Sequence, residues 1–170
     1  MILRRLSLVV FAVAAFAPRG GAQAHGWAPA KCDIKAGHFL VNSGVLYLHN
    51  AAETKFDDQR QKDLKQAHDV LVQAITTKNQ DKNPASWYYL GRFYVETKDY
   101  AGADSAFTRA ESLLPACKDD IASWRRNGLW VAVLNAGVKQ WQAGQLDSAV
   151  ASLRLANTIF RGEPTSFAYL

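Results

Sequence analysis

Apolar residues recur with helical periodicity along much of the chain, and the pattern is clearest between positions 84 and 117. A first set is spaced three and four residues apart, which places it on one face of a helix. A second set marks one face of a following helix, and Lys98 and Asp99 lie where the chain would turn between the two. Pro115 would end the second helix, because proline cannot continue it. The sets are Trp87, Leu90, Gly91 and Tyr94, then Ala103, Phe107 and Ala110.

A second copy of this pattern lies downstream. It keeps the glycine and the small residues, but Val133 and Gln140 replace the tryptophan and the tyrosine. Its first helix is expected to begin early, near Asp119 and Asp120, since acidic residues favour a helix N-terminus. The residues that carry this copy are Gly137, Gly144, Ala149, Leu153 and Ala156.

A third and weaker copy lies upstream. Leu40, Gly44 and Tyr47 suggest its first helix, and the second-helix spacing returns later in Ala67, Leu71 and Ala74. The glycine and the first alanine lie farther apart than in the other copies. A polar insertion around residues 53–61 therefore forms either extra helical turns or an exposed loop.

The best copy resembles the tetratricopeptide repeat, whose pattern W-x2-L-G-x2-Y, A-x3-F, A and P it reproduces at the right spacing. The resemblance implies an all-α fold: a right-handed stack of antiparallel helix hairpins, or TPR-like α-solenoid. One hairpin cannot bury its apolar face alone, so neighbouring pairs must stack on each other. We expect a helical repeat domain over residues 39–162, with repeats at 39–79, 84–117 and 120–162.

Residues 1–24 have the features of a secretory signal peptide. Arg4 and Arg5 precede an apolar stretch, Leu6–Ala17, that is too short to span a bilayer. The sequence that ends at Ala24 fits a signal peptidase site, so cleavage after Ala24 is expected. The protein would then be exported, to a periplasm or out of the cell, with residues 25–38 as its N-terminal segment. No other stretch is long and apolar enough to suggest a membrane-spanning helix.

The basic charge of the whole chain is partly a property of this signal segment. The formal net charge is +5. Cleavage would remove Arg4, Arg5 and Arg19 and no acidic residue, which leaves +2. No basic stripe remains, so nucleic-acid binding is not expected.

The chain has only two cysteines, Cys32 and Cys117. In an oxidising compartment they would most simply pair as a disulfide; the alternative is two buried or idle thiols.

No catalytic motif is present. The sequence lacks H-E-x-x-H, G-x-S-x-G and a phosphate-binding glycine loop, so neither an enzyme nor a metal or cofactor is expected. A remote alternative is a secreted copper enzyme. Cleavage would make His25 the N-terminal residue, whose amine and imidazole can chelate copper together, although the β-sandwich of such enzymes is not expected here.

The fold class favours a protein–protein interaction scaffold that binds a partner peptide or helix in a concave groove. The groove would be lined by first-helix residues that lie off the packing face. Some tetratricopeptide proteins hold a C-terminal carboxylate with a lysine and asparagine clamp, which these residues do not reproduce, so an apolar peptide is the expected ligand. The lining residues would be Tyr88, Arg92, Val95 and Glu96, then Leu134, Asn135, Val138 and Trp141.

The end of the chain leaves a second interpretation open. Pro164–Leu170 mirrors Pro84–Leu90, which suggests that residues 163–170 begin a further, truncated repeat. The chain could then be a non-binding spacer segment of a longer envelope protein. Alternatively, these residues form a short terminal helix that folds back or mediates self-association.

Overall fold

The computed structural model describes residues 26–160, and within this range the chain is helical with no strands. The expected all-α class is therefore confirmed for the described part. No described helix is both long and apolar enough to cross a membrane. The signal segment, His25 and residues 163–170 lie outside the described residues. The helices are α1 (Phe39–Glu53), α2 (Asp57–Thr77), α3 (Pro84–Glu96), α4 (Tyr100–Leu113), α5 (Lys118–Trp124), α6 (Val131–Gln142) and α7 (Leu146–Ile159).

The helices pack as neighbouring pairs: α1 with α2, α3 with α4, and α6 with α7. Contacts of α3 with both α1 and α2 join the first pair to the second. A π-helical turn (Arg125–Trp130) contacts both α4 and α7 and so joins the second pair to the third. The right-handed sense of the stack stays a prediction.

A glycine on the first helix of each pair faces a large side chain on the second. A Cβ atom added at Gly91 would lie 2.7 Å from the Phe107 ring, closer than packed atoms approach. At Gly44 the corresponding distance to Leu71 is 2.6 Å, and at Gly137 the distance to Leu153 is 3.0 Å, which is still tighter than most packed contacts. The flanking alanines repeat as well and are almost completely buried. They are Ala67 and Ala74, Ala103 and Ala110, and Ala149 and Ala156.

Local chemistry sets where the helices of the second pair begin. Asn83 Oδ1 accepts from the Ala85 backbone N–H, and Pro84 occupies the first turn, where its missing N–H costs nothing. Asp99 Oδ1 accepts from the Gly102 N–H and caps α4. The turn before α4 places Lys98 in the left-handed conformation, with φ of 62°. At the same turn of the third pair stands Gly144, with φ of 75°, for which this conformation is easy.

The helix that opens the third pair is longer than the other first helices. It runs without interruption from α5 through the π-helical turn into α6, beginning at Lys118. Arg125 anchors the turn to α4 through three acceptors: Asp104 Oδ1 at 2.8 Å, Thr108 Oγ1 at 2.8 Å and Glu111 Oε2 at 2.6 Å. Because these acceptors lie along one face of α4, the guanidinium fixes how the third pair meets the second.

The polar insertion in the first helix pair adds helical turns and almost no loop. Only residues 54–56 separate α1 from α2, and α2 has 21 residues where α4 has 14.

Residues 26–38 form an irregular N-terminal segment, called the strap below. A disulfide joins Cys32 of the strap to Cys117, so the expected pairing is confirmed. Farther along, Asn83 Nδ2 donates to the Ala36 carbonyl at 2.7 Å. The strap is thereby fixed at its middle and at its C-terminal end.

Substitution of Gly91 by alanine should destabilise the protein. The added methyl group would collide with the enclosed Phe107 ring, and we expect a loss of about 1–3 kcal/mol in the free energy of unfolding. Urea denaturation followed by circular dichroism measures it. Ser105→Ala, at an exposed position of α4, is the control and should change stability by less than about 0.5 kcal/mol. Equal stability of the Gly91→Ala and control variants would contradict the packing described.

Removal of the disulfide should lower stability more strongly. The bond closes a loop across a sequence separation of 85. In the chain-entropy model, its loss in the Cys32→Ser, Cys117→Ser double variant costs about 4 kcal/mol. The urea midpoints of the double variant and the oxidised parent provide the comparison. The parent is also measured in excess dithiothreitol, where titration of both thiols shows that the disulfide is reduced. An unchanged urea midpoint of the reduced parent would show that the bond contributes nothing to stability.

Candidate functional site

An open cavity of about 400 Å³ lies where α1, α3 and α5 come together next to the strap. We call it the central cavity. Leu48, Ala52 and Val95 make apolar walls, and Arg60 and Glu96 form an ion pair at its edge. Its other lining residues are Gly26, Trp27, Ala28, Arg92, Lys98, Trp124, Asn127 and Gly128.

Arg92 of α3 is the most unusual residue of this cavity, because its cationic side chain is only 6% exposed. The guanidinium carbon lies 4.0 Å from the centre of the Trp27 ring and 4.5 Å from that of Trp124, so two indoles stack on it. Its Nη1 atom has no hydrogen-bond partner among the described residues. Burial lowers the pKa of Arg92, and the nearby Tyr88 and Tyr89 are the largest opposing influences.

A buried polar network lies beside Arg92. The hydroxyl of Tyr88 donates to Asp120 Oδ2 at 2.8 Å and accepts from Trp124 Nε1 at 3.0 Å. The same carboxylate oxygen accepts from the Lys31 backbone N–H at 2.9 Å. Burial, and next the hydrogen bond to Asp120, raise the pKa of Tyr88 well above its ordinary value.

The strap crosses the three first helices at this place. Trp27 contacts His49 of α1 edge-on at 5.5 Å and stacks with Tyr89 of α3 at 6.5 Å, both between ring centroids. Its backbone N–H donates to Glu53 Oε1 at 2.6 Å. Through Lys31 and Asp120 the strap also reaches α5.

The structure brings only part of the predicted groove together. Arg92, Val95 and Glu96, which were predicted to line a groove, line the central cavity. Tyr88 was expected there as well but is completely buried, because Asp120 and Trp124 cover its hydroxyl. Arg92 is itself buried. An Arg92→Ala variant would therefore disturb the core, and it cannot serve as a simple test of binding.

The four predicted residues of α6 do not line the cavity. Leu134 is buried, Asn135 is exposed, Val138 is half-buried and Trp141 is 49% exposed. The reason is the length of the helix that opens the third pair: its N-terminal part, around Trp124, faces α3 in their place.

Several lining residues were missed by the sequence analysis. Trp27 comes from the strap, which carries no repeat signal. Asn127 and Gly128 lie in the π-helical turn, whose geometry has no marker in the sequence. The early start predicted near Asp119 and Asp120 was the available signal, because it could have indicated that the helix around Trp124 lies opposite α3.

The repeat-signature residues have structural roles. The core contains Leu90, Phe107 and Leu153, while Trp87 is half-buried and donates from Nε1 to the Asp81 carbonyl at 2.7 Å. Half-buried Tyr94 packs against His68 of α2. Pro115 begins a short 3₁₀ turn (Pro115–Cys117) directly after α4.

The described residues contain no group of three or more histidine, cysteine or acidic side chains that could hold a metal ion. His25 of the copper hypothesis lies outside them.

Comparisons with known proteins give no relative. No family model, no curated protein and no solved structure matches this chain.

The raised pKa of Tyr88 predicts a loss of stability at high pH. An unfolded tyrosine ionises near pH 10, whereas folded Tyr88 stays protonated. The contribution of Tyr88 to the free energy of unfolding is therefore constant below pH 10. Above pH 10 this contribution falls by at most about 1.4 kcal/mol per pH unit. Tyr88→Phe should remove that part of the slope and cost about 1–3 kcal/mol at pH 7, because Asp120 loses a donor.

Urea denaturation of parent and Tyr88→Phe between pH 8 and 11 measures both effects. Other titrating groups are common to the two proteins and cancel in the difference. Parallel pH profiles would show that Tyr88 is not held protonated.

Proposed function

We propose that this chain is an exported helical-repeat protein of the tetratricopeptide type that binds a partner protein and is not an enzyme. The partner contributes a peptide or helix that lies in the central cavity. The observation that carries the proposal is the position of this cavity, which spans α1, α3 and α5. Helices α1 and α3 are the first helices of their pairs, and α5 begins the long helix that opens the third pair.

The repeated packing supports the repeat class. In all three pairs a glycine meets a large residue, with buried alanines on both sides of the latter. This is the arrangement that the sequence pattern describes, with small residues at the crossing and one large side chain between them.

The chemistry of the cavity supports a peptide ligand. Its lining combines apolar and aromatic side chains with a few polar and charged ones, as binding clefts commonly do. Arg60 donates to Glu96 and to the Ala51 carbonyl at 3.2 Å, so it is already held in place. The mixture favours an extended apolar peptide over a highly charged one.

Export is supported by the signal-like N-terminus and by the disulfide. Disulfides form and persist in oxidising compartments, which exported proteins enter.

Selection of peptides from a displayed random library on the oxidised protein tests the proposal. Asn127→Trp places a bulky ring at an exposed position of the cavity lining, and we expect it to weaken the selected peptides at least tenfold. Ser105→Trp makes the same change at an exposed position of α4 away from the cavity. It should leave the affinity unchanged.

Fluorescence anisotropy of labelled peptides gives the dissociation constants. If the selection returns no binder, or if both variants bind as the parent does, the central cavity is not a binding site.

A further inference from the structure

The strap lies on the surface that the proposed function assigns to a partner. We propose that the site under Trp27 recognises an aromatic residue of an extended partner peptide, and that strap residues 26–31 occupy it as an intramolecular ligand. This inference rests on the proposed function and adds the chemistry of the partner.

The site around the Trp27 ring selects for an aromatic group. Arg92 provides a buried cation at 4.0 Å, Tyr89 a nearly parallel ring at an interplanar angle of 15°, and His49 an edge contact at 81°. A guanidinium enclosed without an acidic hydrogen-bond partner among the described residues is stabilised by an aromatic face. An aliphatic side chain would fill the space but would not offer that face.

The strap is held here through backbone N–H groups, which do not depend on the identity of its side chains. Two carboxylates, Glu53 and Asp120, accept from the backbone N–H groups of Trp27 and Lys31, four residues apart. Backbone donors are present in every residue except proline. The surface therefore holds the backbone of the strap at two points and one aromatic side chain next to the first.

Two cavities border the part of the strap that would be replaced. The central cavity borders residues 26–28, and a second cavity of about 280 Å³ is lined by Ala28, Pro29 and Lys31 together with residues of α5. The strap has no regular secondary structure, and Trp27 is only half-buried.

The covalent tether lies beyond the replaceable part. Residues 26–31 precede Cys32 in the chain, so they can leave the surface while the disulfide to Cys117 stays intact. Tethering gives the strap a high effective concentration at its own site. A partner must compete with it, and removal of the Trp27 ring should relieve that competition.

The test uses the oxidised full chain and a labelled peptide of residues 26–31, acetylated and amidated. Trp27→Ala empties the site in the protein, and this variant should bind the peptide at least tenfold more tightly than the parent does. A peptide in which alanine replaces Trp27 should not bind the variant. Trp141→Ala removes a half-exposed tryptophan outside the cavity, and it should bind no better than the parent.

Trp27→Leu serves as a second variant if Trp27→Ala fails to fold. Its aliphatic side chain fills the space without offering an aromatic face, so it competes less well for the site than Trp27 does, and we expect a smaller gain in binding. Absence of the gain in the folded variant, or equal binding of the two peptides, overturns the inference. If the inference fails but library-selected peptides still bind in the central cavity, the proposed function stands without the inference. If neither kind of peptide binds, both are wrong.

Discussion

The close approach of paired helices at a glycine is the contact on which the rest of this structure depends. Gly91 lets Phe107 fill the space between α3 and α4, and Gly44 and Gly137 do the same for their pairs. With this contact, each pair buries its own inner face. The outer faces remain for stacking between pairs and for the cavity across the first helices.

Arg92 imposes a second constraint, because a buried cation must be stabilised by its surroundings. Here two indoles cover its faces, and one of them belongs to the strap. The strap is thus joined to the helical core by electrostatics as well as by the disulfide. This links its position to the part of the surface that a partner would need.

What the sequence could predict was local. The helical period and the glycine-to-alanine spacing describe contacts within one pair, and these were found in the three copies. The disulfide followed from the expected compartment and the number of cysteines.

The lining of the cavity depends on how different pairs are placed, and the sequence pattern carried less information about that. Val138 was expected to line the groove together with Arg92, although the first helix of the third pair was also expected to begin early. The early start at Lys118 and the π-helical turn bring Trp124 opposite α3 instead. Tyr88 appeared to lie off the packing face because its partner, Asp120, is distant in the chain. Trp27 belongs to no repeat, so periodicity could not place it.

Hydrogen exchange at the Trp27 and Lys31 amides, with and without a saturating peptide from the library selection, tests the central claim most directly. The account predicts that the peptide protects amides of α3 and α5 and accelerates exchange at these two strap amides, because it takes their carboxylate acceptors. If the bound peptide changes the exchange rate neither at the two strap amides nor at the amides that line the central cavity, the account is contradicted.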